Sequence, residues 1–128
     1  MFTPKIILMF CSLLLLSSLG AQQAGRYDVV ICEIMADPSP AVGLPGVEYI
    51  EIRNVSATPL PLLGWRLSDA SGTATINTGF ILQPDSSLIL CSVANASLLA
   101  PYGRTVGVGG FPSLDNDGEE LVLRSPQN

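Results

Sequence analysis

Eleven carboxylates and no histidine set the chemistry open to this chain. Its nearest approach to a metal ligand set is Leu114-Asp115-Asn116-Asp117-Gly118-Glu119-Glu120, where Asp115, Asp117 and Glu119 place oxygen ligands around a glycine as part of a calcium loop does. A complete loop closes on a further carboxylate, but Leu121-Val122-Leu123 follows at once with strand character. Asp-Gly is equally a favoured hairpin turn, so a plain turn without a cofactor is expected, with calcium as the alternative. Glu33 and Glu51 form the other pairing to weigh, because two carboxylates on neighbouring strands can hydrolyse a glycoside. The simpler placement puts both on a solvent-facing sheet surface with Tyr49, partly balanced by Arg53, as a candidate recognition patch.

Other chemistries lose their parts one by one. Without histidine, a nucleophilic serine or cysteine has no usual base and a metal loses its commonest ligand. No cysteine has a second at zinc-finger spacing, and Gly107-Val108-Gly109-Gly110 lies between strand-like segments rather than ahead of a helix. The chain is therefore expected not to be an enzyme. Its net charge is −5, and Arg26, Arg53, Arg66, Arg104 and Arg124 are scattered singly, so nucleic acid is not an expected partner. Cys32 and Cys91 fall in separate predicted strands, and whether they pair stays open.

The elements that must hold these residues are short. Glycine and proline recur at close intervals, which is how an all-β sandwich reads. Strands are expected over 28–35, 47–54, 65–68, 73–76, 80–82, 87–92, 105–108 and 119–124. One helix of a turn or two is expected over 93–100, capped by Ser92 and stopped by Pro101 and Gly103. Pro59 and Pro61 should hold the chain extended before the tryptophan. Alternation from Tyr49 to Asn54 sends Ile50 and Ile52 to the core, with Glu48 at the strand mouth in reach of water. Trp65, the only tryptophan, sits behind the Gly64 turn and is expected as a core anchor. Asn54-Val55-Ser56 and Asn95-Ala96-Ser97 match the glycosylation pattern, though so short a pattern arises readily by chance.

The first residues read as a secretory leader: Lys5, an apolar run over 6–16 broken only by Ser12, then small residues to Ala21. Residues 1–21 are expected to be a cleaved signal, leaving 22–128 as one exported domain, secreted or at the cell surface, with no stable membrane span. Cys11 lacks the small residue that precedes a lipoprotein cysteine.

Three phrases carry a likeness: Ile31-Cys32-Glu33-Ile34-Met35-Ala36-Asp37-Pro38-Ser39-Pro40, then Gly43-Leu44-Pro45-Gly46-Val47-Glu48-Tyr49-Ile50-Glu51-Ile52-Arg53-Asn54, then Gly64-Trp65-Arg66-Leu67-Ser68-Asp69. Together they resemble the bacterial secreted branch of lamin tail domains, over nearly all of 27–124. The resemblance implies an immunoglobulin-like β-sandwich and a non-catalytic interaction or structural module of an exported or cell-surface protein, meeting protein or glycan through a sheet face or edge. The alternative it allows is an accessory N-terminal domain of an extracellular hydrolase, a nuclease or phosphoesterase, whose catalytic domain is not in this chain. Similar domains usually carry Asn where Cys32 stands, and they continue beyond the turn at 124–128 into one more strand. That last strand is expected to be missing here, either because the chain is a fragment or because the strand comes from elsewhere, leaving 119–124 with an open edge.

Overall fold

A computed structural model describes residues 23–128. The leader assigned to 1–21 and its cleavage after Ala21 lie outside the described residues.

Short apolar runs between turn residues make nine strands: β1 (Val29–Met35), β2 (Tyr49–Asn54), β3 (Leu60–Pro61), β4 (Arg66–Ser68), β5 (Thr73–Thr75), β6 (Ile81–Leu82), β7 (Ser87–Ser92), β8 (Thr105–Val108) and β9 (Val122–Arg124). One layer is the sheet β1-β2-β7-β8, antiparallel except that β8 runs parallel to β7. The other is made of β5-β4-β9 and a two-stranded β3-β6 ladder. Alternation along β2 and β7 turns Ile50, Ile52, Leu88 and Leu90 inward, against Leu60, Leu62, Trp65, Leu67, Ala74, Ile76 and Leu82. Each such aliphatic side chain contributes about 1.5–3 kcal/mol by leaving water. This is an all-β, immunoglobulin-like sandwich.

A second, smaller cluster covers the outside of the first sheet, where Tyr49, Ile89 and Cys91 pack under Leu99. Its lid is a 3₁₀ turn (Val93–Asn95) running into α1 (Ala96–Leu99). The helix expected over 93–100 is thus split, and Ser92 does not cap it: that residue is extended and makes no side-chain cap bond. The crossover from β7 to the parallel β8 has only twelve residues and holds the backbone too close to the sheet for a longer helix. Gly107 makes that approach possible, since a Cβ there would lie 2.7 Å from Val93 Cα.

Three further boundaries differ from expectation. Pro59 and Pro61 do hold an extended segment, but Leu60 and Pro61 also pair with Leu82 and Ile81, a short edge ladder in which proline is tolerated. The second strand begins at Tyr49, because Val47 donates its N–H to Pro45 O at 2.8 Å in a turn. The last strand spans only Val122–Arg124; it pairs with β4 on one side and is the edge of its sheet on the other.

Candidate functional site

Glu33 and Glu51 meet through a β-bulge. Ile31 pairs with Ile52 and Glu33 with Glu51, so Cys32 is the extra residue of β1. By strict alternation Ile31 and Glu33 would share a face; the bulge lets Ile31 pack on the core while Glu33 stands outside beside Glu51. Like charges directly opposite repel, and two neighbours relieve them. Tyr49 donates its hydroxyl to Glu33 Oε1, while Cys32 Sγ donates to Glu51 O at 3.3 Å and to Glu51 Oε1 at 3.5 Å.

Tyr49 requires a correction. Expected on an open recognition patch, it does share the outer face with Glu51, yet it is only 3% exposed, because Leu99 and Met35 pack around its ring. Arg53 is a second correction: its guanidinium pairs with Asp85 at 3.6 Å rather than balancing the two glutamates. Glu33 is exposed and Glu51 half-buried, at the margin of the cluster that covers this face.

Burial first, then the Glu33 hydrogen bond and the charges of Glu33 and Glu51, push the Tyr49 phenol up to about 12 from its ordinary 10. Raised in the folded state, this group favours folding fully below pH 10, and that contribution fades as pH climbs through 10 to 12. The expected result is one phenol ionising near pH 12 in the ultraviolet absorbance titration, absent from Tyr49→Phe. A Tyr49 that ionises with an ordinary phenol would overturn the buried placement.

Cys32 and Cys91 are separate free thiols, the first exposed and the second buried. Partial burial of its sulfur, then the hydrogen bond and charge of Glu51, raise Cys32 above the ordinary thiol range; burial alone raises Cys91.

Asp115, Asp117 and Glu119 lie in a turn closed by its own groups. Asp115 N–H donates to Glu119 Oε1 at 2.8 Å, Asp117 N–H to Asp115 Oδ1 at 2.9 Å and Gly118 N–H to Asp115 O at 3.2 Å. Gly118 takes φ +97°, which few other residues hold cheaply. Glu48 comes in at the mouth of β2, half-buried, and accepts the Leu114 N–H at 3.1 Å. Among the described residues no three histidine, cysteine, aspartate or glutamate side chains come together closely enough to hold a metal ion. One oxygen of Asp115 and one of Glu119 thus bond amides of the turn itself.

The structural residues fall in the core. Ile50 and Ile52 are fully buried, and Trp65 is 5% exposed with its Nε1–H on Pro61 O at 3.0 Å. Gly64 positions it: at φ +82° the chain turns so that the Gly64 N–H reaches Ile76 O at 2.8 Å and Trp65 swings inward.

With this sandwich and its buried tryptophan in place, a model of the lamin tail domain fits residues 22–128. The chain belongs to the lamin tail domain family. No curated protein matches it. As a lamin tail domain it falls in a non-catalytic, immunoglobulin-like family, consistent with carboxylates that bond to hydroxyl, thiol and backbone groups.

Sequence reasoning passed over two features of this lamin tail domain. Asn54 is fully buried and ties three segments, its Nδ2 donating to Thr58 O at 2.7 Å and Leu82 O at 2.9 Å while its Oδ1 accepts the Ser56 N–H at 2.9 Å. Alternation from Ile50 through Ile52 already pointed it inward. Arg66 and Arg124 are the second, brought directly opposite by the β4–β9 register, which no local pattern in the chain foretells.

Proposed function

We propose that this lamin tail domain is a non-catalytic interaction module of an exported or cell-surface bacterial protein, meeting a protein or glycan partner through a sheet edge or face. The carrying observation is what its chemically capable side chains are doing. The Glu33 carboxylate accepts the Tyr49 hydroxyl and Glu51 accepts Cys32, while Asp115 and Glu119 bond the amides of their own turn. Catalysis by such groups would need a free acid or base, and one oxygen of each glutamate is already bonded, Glu33 by Tyr49 and Glu51 by Cys32. The apolar run at 6–16 supports export, and among the described residues the two larger sheets have edge strands at β1, β8, β5 and β9.

The purified protein is expected to show no turnover of aryl glycosides or phosphodiesters above buffer, with Glu33→Gln and Glu51→Gln indistinguishable from it. Turnover that disappears in either variant would replace this reading with a carboxylate-pair hydrolase.

A further inference from the structure

Strand register sorts the charges of this domain to opposite ends. Arg53 pairs with Ser87 at the start of β7, and Arg66 with Arg124 where β4 starts and β9 stops. Arg104 stands just ahead of β8, which runs parallel to β7, and Arg26 just ahead of β1, so the arginines share one end of the sandwich. The other end is built from segments 36–48, 69–72, 93–95 and 109–121. These carry Asp37, Glu48, Asp69 and the four carboxylates of Asp115-Asn116-Asp117-Gly118-Glu119-Glu120, seven of the chain's eleven acidic residues. The one ion pair among the described residues, Arg53 with Asp85, lies at the arginine end, so no cation offsets this charge.

Two hollows join at this acidic end across Glu48 and Ser113 to make a trough. One, of about 380 Å³, has apolar walls of Pro38, Val47, Phe111 and Pro112. The other, of about 670 Å³, runs past Asp115, Asn116 and Glu119 to Ser71. Every segment that lines the trough lies inside the domain, between β1 and β9. Glu48 Oε2 accepts the Leu114 N–H and Glu119 Oε1 the Asp115 N–H, which leaves each carboxylate a second oxygen with no hydrogen bond among the described residues. Next to the lining residues Ala70 and Ser71, Asp69 Oδ1 accepts the Ser71 and Gly72 N–H groups at 2.7 Å each, while its Oδ2 is buried without a partner. That is the one buried side-chain oxygen so left among the described residues, and a donor is what it lacks. Carboxylates strung along an apolar trough, with no three close enough to grip a metal ion, suit a chain bearing both cations and apolar side chains.

Resting on the reading that this domain meets a protein partner, we propose that the trough holds an extended segment of that partner with lysine or arginine set among apolar residues. This contact is additional to any at a sheet edge or face. Long cationic side chains lay their methylene stems on apolar surface and keep the charged head in contact with polar groups. Stems against Pro38, Phe111 and Pro112 with heads at Glu48 and Glu119 satisfy both halves of such a side chain, and each head gains a charge-assisted bond. The separated charges also steer the encounter, because the arginine end repels the same segment and turns the acidic end toward it.

The test titrates the isotope-labelled protein with a short blocked peptide of alternating lysine and valine. The expected result is perturbation of the backbone amides of Val47, Glu48, Asn95, Phe111 and Glu119, weakened by added salt. Glu48→Gln, which keeps an acceptor for the Leu114 N–H, should lower affinity about tenfold. Asp85→Asn removes the same charge at the arginine end and should leave affinity unchanged. Asn116→Lys combined with Glu119→Lys should turn the lysine peptide away and bind its glutamate–valine counterpart, a gain that a merely misfolded variant could not show. Serine in place of the peptide valines should weaken binding about tenfold, as the apolar walls require. The proposal is overturned by unperturbed amides around the trough, by the serine peptide or spermine binding as tightly, or by calcium ions producing the same shifts. A second copy seated in the trough, seen as concentration-dependent shifts without peptide, would overturn it too. Shifts confined to a sheet edge or face would remove the trough and keep a partner-binding domain, whereas turnover dependent on Glu33 or Glu51 would fail that broader reading instead.

Discussion

Trp65→Ala is expected to cost about 3–5 kcal/mol, comparable to the whole stability of many domains, and so to leave the protein largely unfolded at room temperature. The indole is 5% exposed and packs among the residues joining the two layers. Its removal opens a cavity and strips Pro61 O of the donor it has at 3.0 Å. Trp65→Phe keeps most of the ring and loses the hydrogen bond, so it should cost a smaller amount, about 1–2 kcal/mol. Urea unfolding followed by circular dichroism measures both. A Trp65→Ala protein that melts cooperatively at the wild-type midpoint and has lost only a ligand would move this residue from packing to recognition.

Asn54→Ala should cost about 3 kcal/mol, although the position looks like one polar residue at the end of a strand. Truncation leaves Leu82 O and Thr58 O without the Nδ2 donors at 2.9 and 2.7 Å, and frees the Ser56 N–H and hydroxyl that now reach Oδ1. The neighbouring backbone leans on the same residue, since Asn54 N–H donates to Ser86 O and Asn54 O accepts from Asp85 N–H. Asn54→Asp keeps the acceptor and loses both donors, so it should recover only part of the loss. Equal urea midpoints for Asn54→Ala and the parent would show that the network is ornamental. Because Nδ2 is the atom a glycan would take, Asn54-Val55-Ser56 works in the fold as a packing motif.

What could be read in the chain follows from how local each cause is. The period of two from Tyr49 to Asn54 is written in adjacent residues, so the inward set Ile50 and Ile52 was legible, and Asn54 was legible in principle by the same rule. The bulge at Cys32 was not, because one extra residue leaves no mark until β1 is laid beside β2. Tyr49 was misplaced for a related reason: which face a strand residue takes is local, but whether that face is covered depends on a crossover some forty residues on. The Asp115–Glu119 segment could be read as turn or ion loop, and only the directions of its amides show where the carboxylate oxygens bond. The Arg66–Arg124 pairing is wholly a matter of register between strands far apart in sequence.

Gly107 also makes the molecule a gauge of its own local motion. With Val93 pressed onto a glycine and Leu99 roofing the sheet, Cys91 is sealed only as long as the small helical lid stays down. In a Cys32→Ser background, the rate at which a thiol reagent reaches Cys91 reports the free energy of lifting that lid, separate from global unfolding. Wherever a substitution loosens the crossover without unfolding the sandwich, that rate should rise while the urea midpoint holds still, so one native sulfur distinguishes breathing from melting.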